Sequence, residues 1–199
     1  MRKLISLVLI MILATALGCI TTNIKGYTDR DYNGYKIRKA VIRAPNAGFA
    51  FGELLENSMI KELKNKGVHA ESFLRRFPPT RDWTNEEVAK ELIKDGYDTI
   101  IYVNLIGSDT TAKTIGYINT GTASVYGSTG SYSGSSIAMS AISRYTSTQV
   151  RVYNIATGKI IWVGDSSTKS GGLLFIGDEM QTDSIATETI VALNESGHI

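Results

Sequence analysis

Residues 35–66, YKIRKAVIRAPNAGFAFGELLENSMIKELKNK, set a strand pattern directly before a helix pattern. Tyr35 to Ala44 reads as a strand with Ile37 and Val41 on one face, and Pro45-Asn46-Ala47-Gly48 breaks it. From Phe49 to Lys66 the period changes. Phe51, Leu54, Leu55, Met59 and Leu63 recur at helical spacing, so Glu53, Glu56, Lys61 and Lys64 are expected to face away from the core. Gly67 supplies the stop. Working outward, Val68 to Phe73 predicts a short strand and Leu74 to Trp83 a loop. Thr84-Asn85-Glu86-Glu87 is a capping box that opens a helix to Lys94, closed by Gly96. Tyr97 to Leu105, with Ile100, Ile101, Val103 and Leu105, predicts another strand. Strand, helix, strand, helix, strand is an α/β (α+β) order.

The C-terminal half predicts a strand from Arg144 to Tyr153, a turn at Thr157-Gly158 and a return strand from Ile160 to Gly164. Gly158 supplies the positive φ that such a turn needs. Ser170-Gly171-Gly172 reads as a break. Asp183 to Asn194 reads as a last helix, with Ile185, Ile190 and Leu193 toward the core and Gly197 as its end. The segment from Thr114 to Ser143 has no charged residue and is rich in Gly, Ser, Thr and Tyr. It reads either as a mobile loop or as a long hairpin. In the hairpin, Ile115, Tyr117, Ala123 and Val125 share one parity, as do Ile137, Met139, Ala141 and Tyr145. Such arms reach the length of membrane-crossing strands, or serve to contact a partner. The expected architecture is a three- to five-stranded mixed sheet with packed helices and a long Gly/Ser-rich hairpin or loop insertion.

Few residues carry chemistry. With one cysteine and two histidines, zinc, haem and iron–sulfur spacings are absent. Gly130-Ser131-Tyr132-Ser133-Gly134 puts Tyr where a nucleophile elbow needs Ser. Thr157-Gly158-Lys159 lacks the earlier glycine of a phosphate loop, because residue 153 is Tyr. The run from Tyr153 to Trp162 is similar to a propeller blade, but it occurs once, so it reads as a simple hairpin. His69 is expected in a strand and His198 near a frayed end, and neither reads as a catalytic base. Asp165, Asp178, Glu179 and Asp183 lie around Gly171-Gly172 without calcium-hand spacing, and read as solvated charges. The expectation is a protein that is not an enzyme and uses no cofactor or metal. Arg75, Arg76 and Arg81 flank Phe77, Pro78, Pro79 and Trp83. From this loop, Arg75, Arg76 and Trp83 are the candidate partner contacts.

The N-terminus says where the protein works. Arg2 and Lys3 precede an almost wholly apolar run from Leu4 to Leu17, ending in Ala16-Leu17-Gly18-Cys19. This is the layout of a secretory signal. With its cysteine it resembles a bacterial lipoprotein signal, whose cysteine is lipidated and becomes the first mature residue. The alternatives are an uncleaved membrane helix, which needs about 20 apolar residues, and an ordinary signal peptide. The resemblance implies a diacylglyceryl group and an N-acyl chain (the palmitate type of anchor) on Cys19. Ile20 beside it implies the outer membrane, facing the periplasm. The expected division is residues 1–18 as signal peptide, 19–34 as lipidated cysteine and polar tether, and 35–199 as one envelope domain. Without Arg2 and Lys3 the basic and acidic residues balance at 19 each, which gives no argument for nucleic acid.

Over roughly Tyr35 to Asn194 the element order resembles the small α/β domain of the curli-secretion channel lipoprotein and of the lipoprotein activators of penicillin-binding proteins. It also resembles further envelope lipoproteins with a hairpin like Arg151–Trp162. The resemblance implies a lipid-anchored adaptor or assembly factor with an envelope protein partner. The alternative it implies is a subunit of a homo-oligomeric outer-membrane export pore.

Overall fold

The computed structural model describes residues 19–126, 129–172 and 177–199. The expected signal segment, residues 1–18, lies outside them. The fold is α+β. Among the described residues it has strands β1 (Cys19–Thr28), β2 (Lys39–Arg43), β3 (His69–Ser72), β4 (Thr99–Tyr126), β5 (Thr129–Asn154) and β6 (Ile160–Gly172). Its helices are α1 (Phe49–Asn65), α2 (Phe73–Arg76), α3 (Asn85–Lys94) and α4 (Asp178–Glu195). The strands form one mixed sheet in the order β1-β6-β5-β4-β2-β3. Six strands exceed the three to five expected.

The parallel end is a pair of crossovers. β3 and β4 both run parallel to β2, on opposite sides of it. Chain handedness then sends α1 and α3 to opposite faces of the sheet. On one face, α1 and α4 cover Ala40, Ile42, Ile101, Val103, Val150, Val152 and Trp162. On the other, α2 and α3 cover only Val41, Ile100 and Tyr97, through Phe73, Phe77, Val88 and Leu92. Ile37 and Val41 therefore separate, the first into the larger core and the second into the smaller. Burial of both faces of β2 overrides the alternation read from its sequence.

The capping box forms as expected. Thr84 Oγ1 accepts from the Glu87 amide at 3.2 Å, and Glu87 Oε2 accepts from the Thr84 amide at 2.9 Å. Gly158 has φ +67° in the β5–β6 turn. Glu56 departs from expectation: it is fully buried. Its carboxylate accepts the Ala44 and Leu74 amides, each at 3.2 Å, and the Ser72 hydroxyl. The helix thus turns a charge inward because three donors wait there, at the junction of β2, α1 and α2.

Two polar segments are strand. Residues 19–28, expected within a tether, are β1 and pair with β6 from Cys19↔Gly171 to Thr28↔Trp162. Ser170-Gly171-Gly172, expected as a break, continues β6. The hydroxyls that made these segments look like loop face α4 and satisfy one another. Thr22 Oγ1 bonds Thr168 Oγ1 at 2.8 Å and Ser184 Oγ at 2.7 Å. His198, expected near a frayed end, is buried. Its Nδ1 donates to the Tyr35 carbonyl at 2.9 Å, which leaves Nε2 to accept from the Thr28 hydroxyl at 3.0 Å. The C-terminus is thereby tied to β1.

Candidate functional site

The segment from Thr114 to Ser143 is hairpin rather than mobile loop. β4 and β5 pair continuously from Thr99↔Asn154 to Tyr126↔Thr129, with register shifts at Leu105/Gly107 and Thr114/Gly116. The other strands stop early. β6 pairs with β5 as far as Gly172↔Ile142, and β1 pairs with β6 as far as Cys19↔Gly171. Cys19, Gly171, Ser143 and Thr111 thus form one row across β1, β6, β5 and β4. Beyond that row the two arms continue alone as a ribbon, about 45 Å long at ~3.3 Å per residue.

Arg144 ties down the root of this ribbon. Its Nε donates to Ser108 Oγ at 3.0 Å, Nη1 pairs with Asp178 in the first turn of α4, and the guanidinium lies 5.5 Å from the Phe51 ring centre. Past it, exposed apolar residues split between two faces. Ile118 pairs with Ile137 and Gly116 with Met139 on one face, while Tyr117 pairs with Ala138 on the other. Directly paired residues share a face. The bulge after Thr114 therefore sets Tyr117 opposite to Ile137 and Met139. Thr120↔Ser135 and Asn119↔Ser136 interrupt the two faces in turn. The arms pair only with each other here, so both outer edges carry backbone groups unpaired among the described residues.

Because the ribbon's described side chains are mostly exposed, it adds little to the core. Deleting Gly121 to Gly134 is expected to change unfolding free energy by less than about 1 kcal/mol, measured by urea denaturation. A loss of several kcal/mol would mean that the distal arms are packed structure.

Apart from Asp178, which pairs with Arg144, the other residues singled out from sequence do not join this site. Arg76 is half-buried, donates to Glu71 Oε2 at 3.1 Å and pairs with Asp95. Arg75 is exposed and bonds Asn57. Trp83 packs edge-on to Phe77 at 5.1 Å, with Arg81 stacked 3.5 Å over its ring. His69 is exposed beside Glu71 at 3.7 Å. Of the acidic residues near Gly171-Gly172, Asp165 bonds Gln149, Asp178 pairs with Arg144, and Asp183 bonds Ser58 and Lys61. No group of metal-binding side chains occurs among the described residues. No helix among them is long and apolar enough to cross a membrane. What sequence reading missed is the alignment of Cys19 with the ribbon root, which depends on β1 being a strand.

No protein-family model matches the chain, and no curated protein does. Similar solved structures include the PelC dodecamer from Paraburkholderia phytofirmans, at 9% identity and a TM-score of 0.49, covering 92% of this chain and 99% of that one. The lipoprotein GNA1162 from Neisseria meningitidis is similar at 11% identity and a TM-score of 0.45, covering 79% of this chain and 99% of that one. A PDZ domain protein from Parabacteroides distasonis is similar at 10% identity and a TM-score of 0.37, covering 97% of this chain and 40% of that one. These likenesses are too distant to transfer a function, so the functional reading rests on the chain's own geometry.

Proposed function

We propose that this is a bacterial envelope protein, anchored through lipid on Cys19, that acts by binding as an adaptor or assembly factor and not by catalysis. The observation that carries the reading is the row Cys19–Gly171–Ser143–Thr111. With residues 19–28 paired in the sheet, no slack separates the anchor from the domain. The lipid then holds the ribbon root at the headgroup layer, and the ribbon presents its two unpaired edges beside the membrane. Free strand edges are ready partners for another strand, through main-chain hydrogen bonds. The partner is an envelope protein or a second copy, in the outer membrane facing the periplasm. Arg75, Arg76 and Trp83 remain weaker contact candidates.

A second reading, the oligomeric export pore, draws on the same ribbon. Each arm exceeds the ~30 Å hydrocarbon core, and the sequence is charge-free from Thr114 to Ser143. A single ribbon cannot enter lipid with its edges unpaired, whereas a closed ring of ribbons can. The split apolar faces and the Thr–Ser and Asn–Ser pairs favour the adaptor, because a barrel wall needs one continuous apolar face.

Cys19→Ala is expected to release the protein from membranes or leave its precursor uncleaved. Flotation with lipid is the readout, and a mutant that is still processed and still floats would overturn the anchor. The native mass in mild detergent separates the two readings. A monomer or dimer supports the adaptor, and a discrete large ring supports the pore.

A further inference from the structure

A second site lies away from the ribbon and its anchor. A 610 Å³ cleft opens between α3 and the face of β4 and β5 that α1 and α4 do not cover. Its floor is a row across three strands. Arg43 on β2 pairs with Tyr102 on β4, which pairs with Arg151 on β5. The two guanidinium-bearing residues thus flank one tyrosine on a single face.

Neither arginine has a carboxylate partner among the described residues, and no Asp or Glu lines the cleft. Arg43 is instead held by neutral groups. It donates to the Tyr102 hydroxyl at 3.3 Å and stacks 4.2 Å over the Phe73 ring. Arg151 is exposed. Tyr102 and Tyr153 meet edge to face at 5.3 Å, and Asn104 lines the same floor. With no carboxylate lining the cleft, the two guanidinium groups give it a positive potential that favours an anionic ligand. Guanidinium forks match carboxylates bidentately.

We propose that this cleft binds an acidic oligosaccharide. Two strand spacings separate the arginines, about 9.5 Å. That is the spacing of the two backbones, and guanidinium groups carried on one face at that spacing can meet separate carboxylates along one extended chain. The tyrosine rings supply flat apolar surface for the C–H faces of the sugars, and asparagine amides bond ring hydroxyls. Val88 and Leu92 of α3 wall the other side. The proposal is independent of the anchor and of the ribbon's role.

The test is isothermal titration of the full chain, extracted in mild detergent, with tetragalacturonate as the probe. Saturable binding is expected, ten- to a hundredfold weaker in Arg151→Gln. Because Arg151 is exposed, that variant is expected to keep the wild-type melting transition. Arg43→Gln should weaken binding as much, and Tyr102 and Tyr153 resonances should shift on titration. Maltotetraose, a neutral α-1,4-linked tetrasaccharide, is expected to bind at least tenfold more weakly. Absence of binding, equal binding by Arg151→Gln, or equal binding of maltotetraose would overturn the proposal. Inorganic phosphate binding as tightly as tetragalacturonate would do so too, by reducing the cleft to a simple anion site.

Discussion

Trp162→Ala is expected to destabilise the fold by about 4 kcal/mol, read as a lower midpoint in guanidinium denaturation. Trp162 is fully buried in β6 beneath α4, and its Nε1 donates to Ser196 Oγ at 3.1 Å. The indole lies flat over two glycines, Gly26 and Gly164, that pair directly across β1 and β6. A methyl group on either glycine would overlap the ring. The slot therefore requires all three residues. Alanine at 162 leaves a ring-sized void that Gly26 and Gly164 cannot fill. Gly164→Ala is the reciprocal test, with an expected loss of about 2 kcal/mol from displacing the ring. If Gly164→Ala proves neutral, the indole has room to move and the slot is not the reason for the glycines.

Glu56→Ala is expected to cost about 3 kcal/mol, because it orphans the buried Ala44 amide, the half-buried Leu74 amide and the Ser72 hydroxyl. The same residue makes stability depend on pH in a definite direction. Burial pushes the Glu56 carboxyl above its ordinary value of 4.5, and the bonds from Ser72, Leu74 and Ala44 only partly oppose this. The folded state then holds this proton more tightly than the unfolded chain does. Its contribution is fullest below pH 4.5 and is lost as pH rises through the folded value. Glu56→Gln removes the titration. The stability of the wild type relative to Glu56→Gln should therefore fall as pH rises from 4.5 and then level off, by thermal melts across that range. A rise over the same interval would mean that the three donors outweigh burial.

Both residues show what sequence reading captured and what it did not. The helix carrying Glu56 was legible from Phe51, Leu55, Met59 and Leu63, because a helix that packs on a sheet must repeat its apolar residues on one face. That Glu56 turns inward was not legible, since its donors come from β2 and α2, brought together only on folding. Trp162 was legible as part of a hairpin because Gly158 marks the turn. Its slot was not, since Gly26 lies 136 residues away in a segment that reads as tether. The ribbon was half legible. Its lack of charge stood out, but strand and loop share the same Gly, Ser and Thr, and pairing between the arms decides between them.

By itself the sequence determined the α+β class, the β2-α1-β3 and α3-β4 units, the capping box at Thr84 and the tight turn at Gly158. All of these follow from local periodicity and backbone chemistry within a few residues. Tertiary structure alone decided that residues 19–28 are a strand, that hydroxyl-rich β6 runs on to Gly172, and that Cys19 stands level with the ribbon root. It alone set Arg43, Tyr102 and Arg151 in one row. The physical reason is that a polar strand signals itself only through the strands it pairs with, and residues 19–28 find theirs in β6, more than a hundred residues distant along the chain.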